Sequence, residues 1–148
     1  MPLKSSSLRN SSAISFEQIQ EGSKVERHYK MTDAVYRALV DNFGDKNPLH
    51  TDENYARAKG FSGRVMHGAI LNGFISHFIG MEFPGANAII QSVSVEYKKP
   101  NFLNDDLHFE AVVEQKVEAV RTLVLKFNIH NQTQDYLAAK ARVQVGWL

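Results

Sequence analysis

The sequence predicts an α+β fold in which an antiparallel sheet wraps one apolar helix, and three observations carry that prediction. The first half of the chain is mostly helical in its periodicity, and the second half, from about Ala88, alternates apolar and polar residues with a period of two. Between them lies a stretch from His67 to Gly80 that is apolar on almost every side. At 148 residues and 43% hydrophobic composition, the chain is sized for one domain with a sizeable core.

The helices come first. In MTDAVYRALVDNFG, residues 31–44, Thr32 is a candidate N-cap and Ala34, Val35, Leu39 and Val40 recur with helical spacing. Asn47-Pro48 then marks a turn, and Asp52 can cap a short helix that ends at Gly60. Two helices are therefore expected to flank a tight polar loop. The apolar stretch HGAILNGFISHFIG is a buried helix by its composition. Its exceptions Gly68, Asn72 and Ser76 are four residues apart and fall along one side, which must face something other than hydrocarbon.

Four strands are expected after that. Val93, Val95 and Tyr97 alternate with polar residues, as do Leu107, Phe109, Ala111 and Val113. Leu123, Leu125, Phe127 and Ile129 form the inner face of a third strand, and Leu137, Ala139, Ala141, Val143, Val145 and Trp147 that of a fourth. Asn104-Asp105-Asp106 and the stretch from Asn131 to Asp135 have the chemistry of antiparallel connections.

Charge and composition exclude several functions. Lysine and arginine total 17 against 16 acidic residues, which gives no strong field for nucleic acid or an anionic membrane surface. No apolar run reaches the roughly 20 residues that span a bilayer, and no secretory-type segment opens the chain, so a soluble cytoplasmic protein is expected. The absence of cysteine removes disulfides, thiolate metal sites and thiol nucleophiles. Residues 1–16 carry Lys4, Arg9, six serines and no acid, a composition loosely like an organellar transit peptide. The plainer reading is an N-terminal arm (1–16) lying on a single domain (17–148).

Within GDKNPLHTD, Asp45 and His50 stand five residues apart across a proline-containing turn that can bring both side chains to one point. A carboxylate beside an imidazole can hold a water, polarise it and exchange its proton near neutral pH, which equips the site for hydration or hydrolysis. Equally, Asp and Asn are ordinary turn residues, and such a histidine can simply bond a nearby carbonyl. His50, Asp52 and His67 are also candidate metal ligands, but their spacing matches no common site, and no metal is expected. Gly68 stands where the apolar helix begins, so its N–H is an unpaired donor that can hold an oxygen becoming negative; glycine there can equally serve close packing. Ser76 can donate to substrate or back-bond to its own helix. His77, on another side of the helix, is left out of the site.

These residues resemble a known family, the (R)-specific enoyl-CoA hydratases, or MaoC-like hydratases, which have a hot dog fold. GDKNPLHTDENYA is similar to the family's hydratase motif and RVMHGAILNGFIS to its continuation into the central helix. YKKPNFLNDDL resembles a third segment in which the family usually has glycine where this chain has Asn104, a residue that tolerates left-handed geometry. The resemblance, from about residue 25 to the C-terminus, implies that Asp45 and His50 are catalytic, that Gly68 is the oxyanion donor and that Ser76 binds substrate. It implies reversible hydration of trans-2-enoyl-CoA to a (3R)-3-hydroxyacyl thioester, coenzyme A (with acyl carrier protein as the alternative carrier) being part of the substrate and no cofactor being required. It also implies a homodimer joined edge to edge. Two rivals stand beside it: a hot dog acyl-CoA thioesterase, whose carboxylate is generally placed differently, and a non-catalytic acyl-thioester binding module, which has no physical need for the Asp–His pair. Lys98, Lys99 and Arg64 can meet the carrier's phosphates or be solvated charge.

Overall fold

A computed structural model of the chain describes residues 14–148; most of the N-terminal arm, residues 1–13, lies outside the described residues. A 3₁₀ turn Phe16–Gln18 leads into β1 (Lys24–Lys30), α1 (Asp33–Phe43), α2 (Pro48–Thr51), α3 (Glu53–Ala58) and α4 (Ala69–His77), which widens into a π-type turn Phe78–Glu82. Then come β2 (Ala88–Tyr97), β3 (Asp106–Val117), β4 (Thr122–Asn131) and β5 (Tyr136–Trp147). The strands form one sheet in the order β1-β3-β4-β5-β2, every neighbouring pair antiparallel.

The period-two residues build the core. Leu107, Phe109, Ala111 and Val113 of β3, Leu123, Leu125, Phe127 and Ile129 of β4, and Ala139, Ala141, Val143 and Val145 of β5 are all buried. They share one cluster with Ile70, Leu71 and Ile75 of α4 and with Phe78 and Ile79 of the turn that follows. Phe78 meets Phe127 edge to face at 5.1 Å, and Phe74 stacks on Tyr29 at 4.5 Å while standing edge-on to Phe109 at 6.0 Å. Each buried Val, Leu, Ile or Phe among them contributes about 1.5–3 kcal/mol of transfer free energy. A sheet curled round one central helix is the hot dog fold, in line with the α+β class expected from the sequence.

Some elements differ from the sequence reading. β1 was not expected, because its inward positions are Val25, Arg27 and Tyr29, and the arginine breaks the apolar alternation. Arg27 is tolerated because its guanidinium pairs with Glu82 and lies 5.4 Å from the Tyr29 ring centroid. In α1 the buried residue is Tyr36, with Val35, Leu39 and Val40 packed partly beside it, whereas Ala34 is exposed. On β2, Val93, Val95 and Tyr97 do share the inner face, paired opposite the buried Val143, Ala141 and Ala139, yet Val93 and Tyr97 remain 39% and 53% exposed. β2 is an edge strand, and among the described residues no strand continues the sheet beyond it. α4 is also open at Asn72 and Ser76, on the side its polar and small residues had set apart, and at the neighbouring Gly73 and His77.

At the N-terminal end of the described chain, Phe16 is fully buried and meets Trp147 edge to face at 5.7 Å. Asn104 has φ 68°, the left-handed geometry that asparagine tolerates. Asp105, just after it, is buried with both oxygens occupied: Oδ2 accepts from Phe102 N–H and Asn131 Nδ2, and Oδ1 from Gln134 Nε2. That network fixes the stretch 100–105, whose Asn101 carbonyl accepts from Met66 N–H just ahead of α4. Among the described residues, no helix is long and apolar enough to cross a membrane.

Candidate active site

Capping chemistry places Asp45 and His50. Thr32 caps α1 by accepting from Val35 N–H, and Gly44 ends that helix in the left-handed conformation, φ 69°, with its N–H on the Val40 carbonyl. Asp45 follows at once. Asn47 then starts α2, its side chain accepting from Leu49 N–H at 3.0 Å, and Pro48 takes the first helical position, where its missing N–H costs nothing. The expected loop is thus partly a single helical turn, and it carries His50. Asp52 ends that turn and caps α3 through Tyr55 N–H, so it is spent on structure rather than being a ligand.

His50 is held from two sides. Its main-chain carbonyl accepts from the Tyr36 hydroxyl at 2.9 Å, and its Nδ1–H donates to the Val65 carbonyl at 2.6 Å. With the proton on Nδ1, the Nε2 lone pair is left to accept one. His67 lies directly against it: the two ring centroids are 3.9 Å apart and the planes are tilted by 31°. His67 Nε2–H donates to the Asp45 main-chain carbonyl at 2.9 Å and lies 3.8 Å from Asp45 Oδ2. His67 is 1% exposed, and its Nδ1 has no hydrogen-bond partner among the described residues.

One oxygen of Asp45 and one ring nitrogen each of His50 and His67 lie within 4.8 Å of one another. These are the residues that could hold a metal ion. Ring lone pairs lie in the ring plane, however, and two stacked imidazoles send theirs side by side rather than to one point. With His67 Nε2 also engaged by Asp45, the set suits a water and a mobile proton better than a cation.

His50 and Gly68 line the same cavity, about 520 Å³ in volume, together with Phe61, Val65, Met66 and Tyr97. Gly68 is the N-cap of α4, and among the described residues no main-chain carbonyl accepts its N–H. A side chain there would displace the Tyr97 ring, since an added Cβ would stand 2.9 Å from Tyr97 Cε1. The Tyr97 hydroxyl donates to Asn72 Oδ1 at 2.7 Å, and partial burial raises its pKa, so it stays a donor at neutral pH. Lys98 and Lys99 also line the cavity; Lys98 pairs with Glu96, and Lys99 lies 5.0 Å from the Tyr136 ring centroid. Arg64 lies over the Tyr36 ring at 4.9 Å and 3.8 Å from the Glu53 carboxylate, outside that lining.

The structure therefore brings Asp45 to His50 and puts His50 and Gly68 in one cavity, which neither Asp45 nor Ser76 lines, Ser76 being exposed two turns along α4. His77 bonds the Tyr29 hydroxyl at 2.9 Å, away from the site. Sequence reasoning missed two contributors. His67 was weighed only as a metal ligand, although a histidine immediately before Gly68, at the start of an otherwise apolar helix, is a usable signal. Tyr97 belongs to the strand face the alternation predicts, paired opposite the buried Ala139, but its contact with Gly68 is not written in that alternation.

Residues 15–134 match the MaoC like domain family. An (R)-specific enoyl-CoA hydratase from Aeromonas caviae is 32% identical over 110 residues, 74% of this chain and 77% of that protein. One from Rhodospirillum rubrum is 32% identical over 90 residues, 61% of this chain and 62% of the relative, so the matched stretch spans under two thirds of it. Among solved structures, the (R)-hydratase from A. caviae involved in PHA biosynthesis superposes with a TM-score of 0.82 at 26% identity, covering 89% of this chain and 99% of that one. The unliganded R-hydratase PhaJ1 from Pseudomonas aeruginosa gives 0.81 at 23% identity, covering 89% and 84%. With 15–134 spanning most of its length, this chain belongs to the MaoC-like domain family.

Proposed function

We propose that this protein is a hydratase that adds water reversibly to a trans-2-enoyl-CoA to give a (3R)-3-hydroxyacyl-CoA. The observation that carries the reading is the convergence of Asp45 and His50, within 4.8 Å at their donor atoms, beside a cavity that His50 shares with the Gly68 N-cap. The relatives' names, (R)-specific enoyl-CoA hydratase, support the same class.

In this reading a water sits between the Asp45 carboxylate and His50 Nε2. Its oxygen attacks the β-carbon, a proton passes to the dyad, and the α-carbon is protonated from the same side. Negative charge collects on the thioester oxygen in between, and the Gly68 N–H at the positive end of α4 stabilises it. The thioester supplies the activation, so the reaction requires no metal and no redox cofactor, and exhaustive dialysis against EDTA is expected to leave the rate unchanged. We further propose a homodimer formed through the β2 edge, where Ile89 and Val93 are exposed and, among the described residues, the strand's outer hydrogen-bonding groups have no neighbouring strand.

The test follows the enoyl-thioester absorbance of crotonyl-CoA with a free-thiol assay in parallel. Hydration predicts loss of absorbance without thiol release, and at least a roughly hundredfold lower rate in Asp45→Asn and in His50→Ala. Thiol release would establish a thioesterase instead. No change in either signal would leave a binding module.

A further inference from the structure

Gly68, Asn72 and Ser76 follow one another along one face of the central helix, each about 6 Å further along the axis. An acyl chain laid on that face from Gly68 would find the first interval already occupied. The Tyr97 ring, at the end of β2, lies against Gly68 closely enough that an added Cβ would meet three of its carbons within 3.2 Å. Its hydroxyl then donates to Asn72 Oδ1 at 2.7 Å. The cavity that takes in His50 and Gly68 reaches Ala69 on α4 and is walled by Tyr97, while Asn72 and Ser76 do not line it. Tyr97 and Asn72 thus form a bar across the helix, anchored at one end by contact with a glycine and at the other by a hydrogen bond.

We propose that the Tyr97–Asn72 pair sets acyl-chain length at this site, ending the acyl groove within the first helical turn beyond Gly68 and restricting the substrate to short-chain enoyl thioesters. The proposal rests on the hydratase reading above. With the thioester oxygen on the Gly68 N–H and the β-carbon facing Asp45 and His50, only a few further carbons fit before the ring. A longer chain enters only by swinging Tyr97 off the helix, which breaks its bond to Asn72. Ser76, exposed beyond the bar, becomes reachable to an acyl chain only in that open arrangement.

The experiment measures kcat/KM for crotonyl-CoA and for trans-2-octenoyl-CoA in the wild type, in Tyr97→Phe and in Asn72→Ala, with circular dichroism as a check on folding. The wild type is expected to favour crotonyl-CoA by tenfold or more. Loss of one neutral hydrogen bond should raise the octenoyl-to-crotonyl ratio about five- to tenfold in each variant. The double variant should go no further than the singles, because both remove the same bond. A ratio that does not move in either variant overturns the proposal, as does a wild type faster on octenoyl-CoA; in both cases the hydratase reading stands. A wild type that hydrates neither substrate overturns the hydratase reading and this proposal with it. Tyr97→Phe keeps the ring and Asn72 is exposed, so neither change removes core packing.

Discussion

The ring of His67 stacks on that of His50 at 3.9 Å while its Nε2–H holds the main-chain carbonyl of Asp45 at 2.9 Å, so one buried side chain touches both members of the proposed dyad. Asp45 and His50 belong to different local structures, the end of α1 and the single turn α2. Within the segment, Asn47 ties the two together, its N–H on Asp45 Oδ1 at 3.4 Å and its carbonyl accepting from His50 N–H at 2.8 Å. His67, arriving from the start of α4, adds a second tie from across the fold, and because it is buried it is held by packing rather than by solvent.

His67 is therefore a positioning residue, and replacing it should misplace the dyad without removing it. His67→Leu is expected to lower kcat on the order of a hundredfold, the scale of a displacement of about 1 Å, while KM changes little. His67→Gln, which keeps a donor of similar reach for the Asp45 carbonyl, should recover part of that loss. Steady-state kinetics of the two variants, with melting temperatures measured alongside, check this. Equal losses in both variants that track the fall in melting temperature would reduce His67 to a structural residue.

The sequence was most legible where a single physical requirement acted. On β3 and β4, alternation reports one buried face, and Leu107 to Val113 and Leu123 to Ile129 are buried as their period demands. On β5 the alternation slips at the irregularity opposite Ile129 and His130, where Ala138 and Ala139 are both buried, a step that residues as small as alanine do not advertise. β1 was hidden by Arg27, whose inward position depends on Glu82, a partner remote in sequence, as well as on Tyr29 two residues along the strand. In the site, Asp45, His50 and Gly68 were legible because a cap, a proline and a helix start are local signals. His67 and Tyr97 act through contacts made across the fold, His67 with His50 and Asp45, Tyr97 with Gly68 and Asn72, and spacing along the chain carries no record of these.

Tyr29 gives a prediction on alkaline stability. Burial pushes its phenol up from the ordinary 10.0 to about 12; Arg27 opposes that shift and Glu82 adds to it. The folded protein thus holds the proton more tightly than the unfolded chain does. The stabilisation is complete below about pH 10, and is lost progressively as pH rises from there through about 12. Urea melts between pH 9 and 12 should show stability falling over that window, and Tyr29→Phe, which keeps the stack on Phe74, should fall less steeply. Phenolate absorbance should lose its last-titrating tyrosine in the same variant. A wild type and Tyr29→Phe that fall in parallel would show that Tyr29 ionises as an exposed phenol.

Gly68 separates folding from function more cleanly than any other residue here. Its φ of −57° and ψ of −34° are ordinary right-handed helical values, so alanine meets no backbone strain, although at an N-cap glycine is the better residue. The three atoms nearest an added Cβ all belong to the Tyr97 ring, the first at 2.9 Å, and the ring can yield because more than half of Tyr97 is exposed. Gly68→Ala should therefore fold with a melting temperature close to that of the wild type. The methyl group would nevertheless push Tyr97 away from Asn72 and stand beside the N–H that takes the developing oxyanion. Turnover of crotonyl-CoA is expected to fall tenfold or more, toward the hundredfold scale of a lost oxyanion donor. A variant that is both stable and fully active would show that a methyl group beside this N–H, which alanine keeps, does not disturb the oxyanion contact.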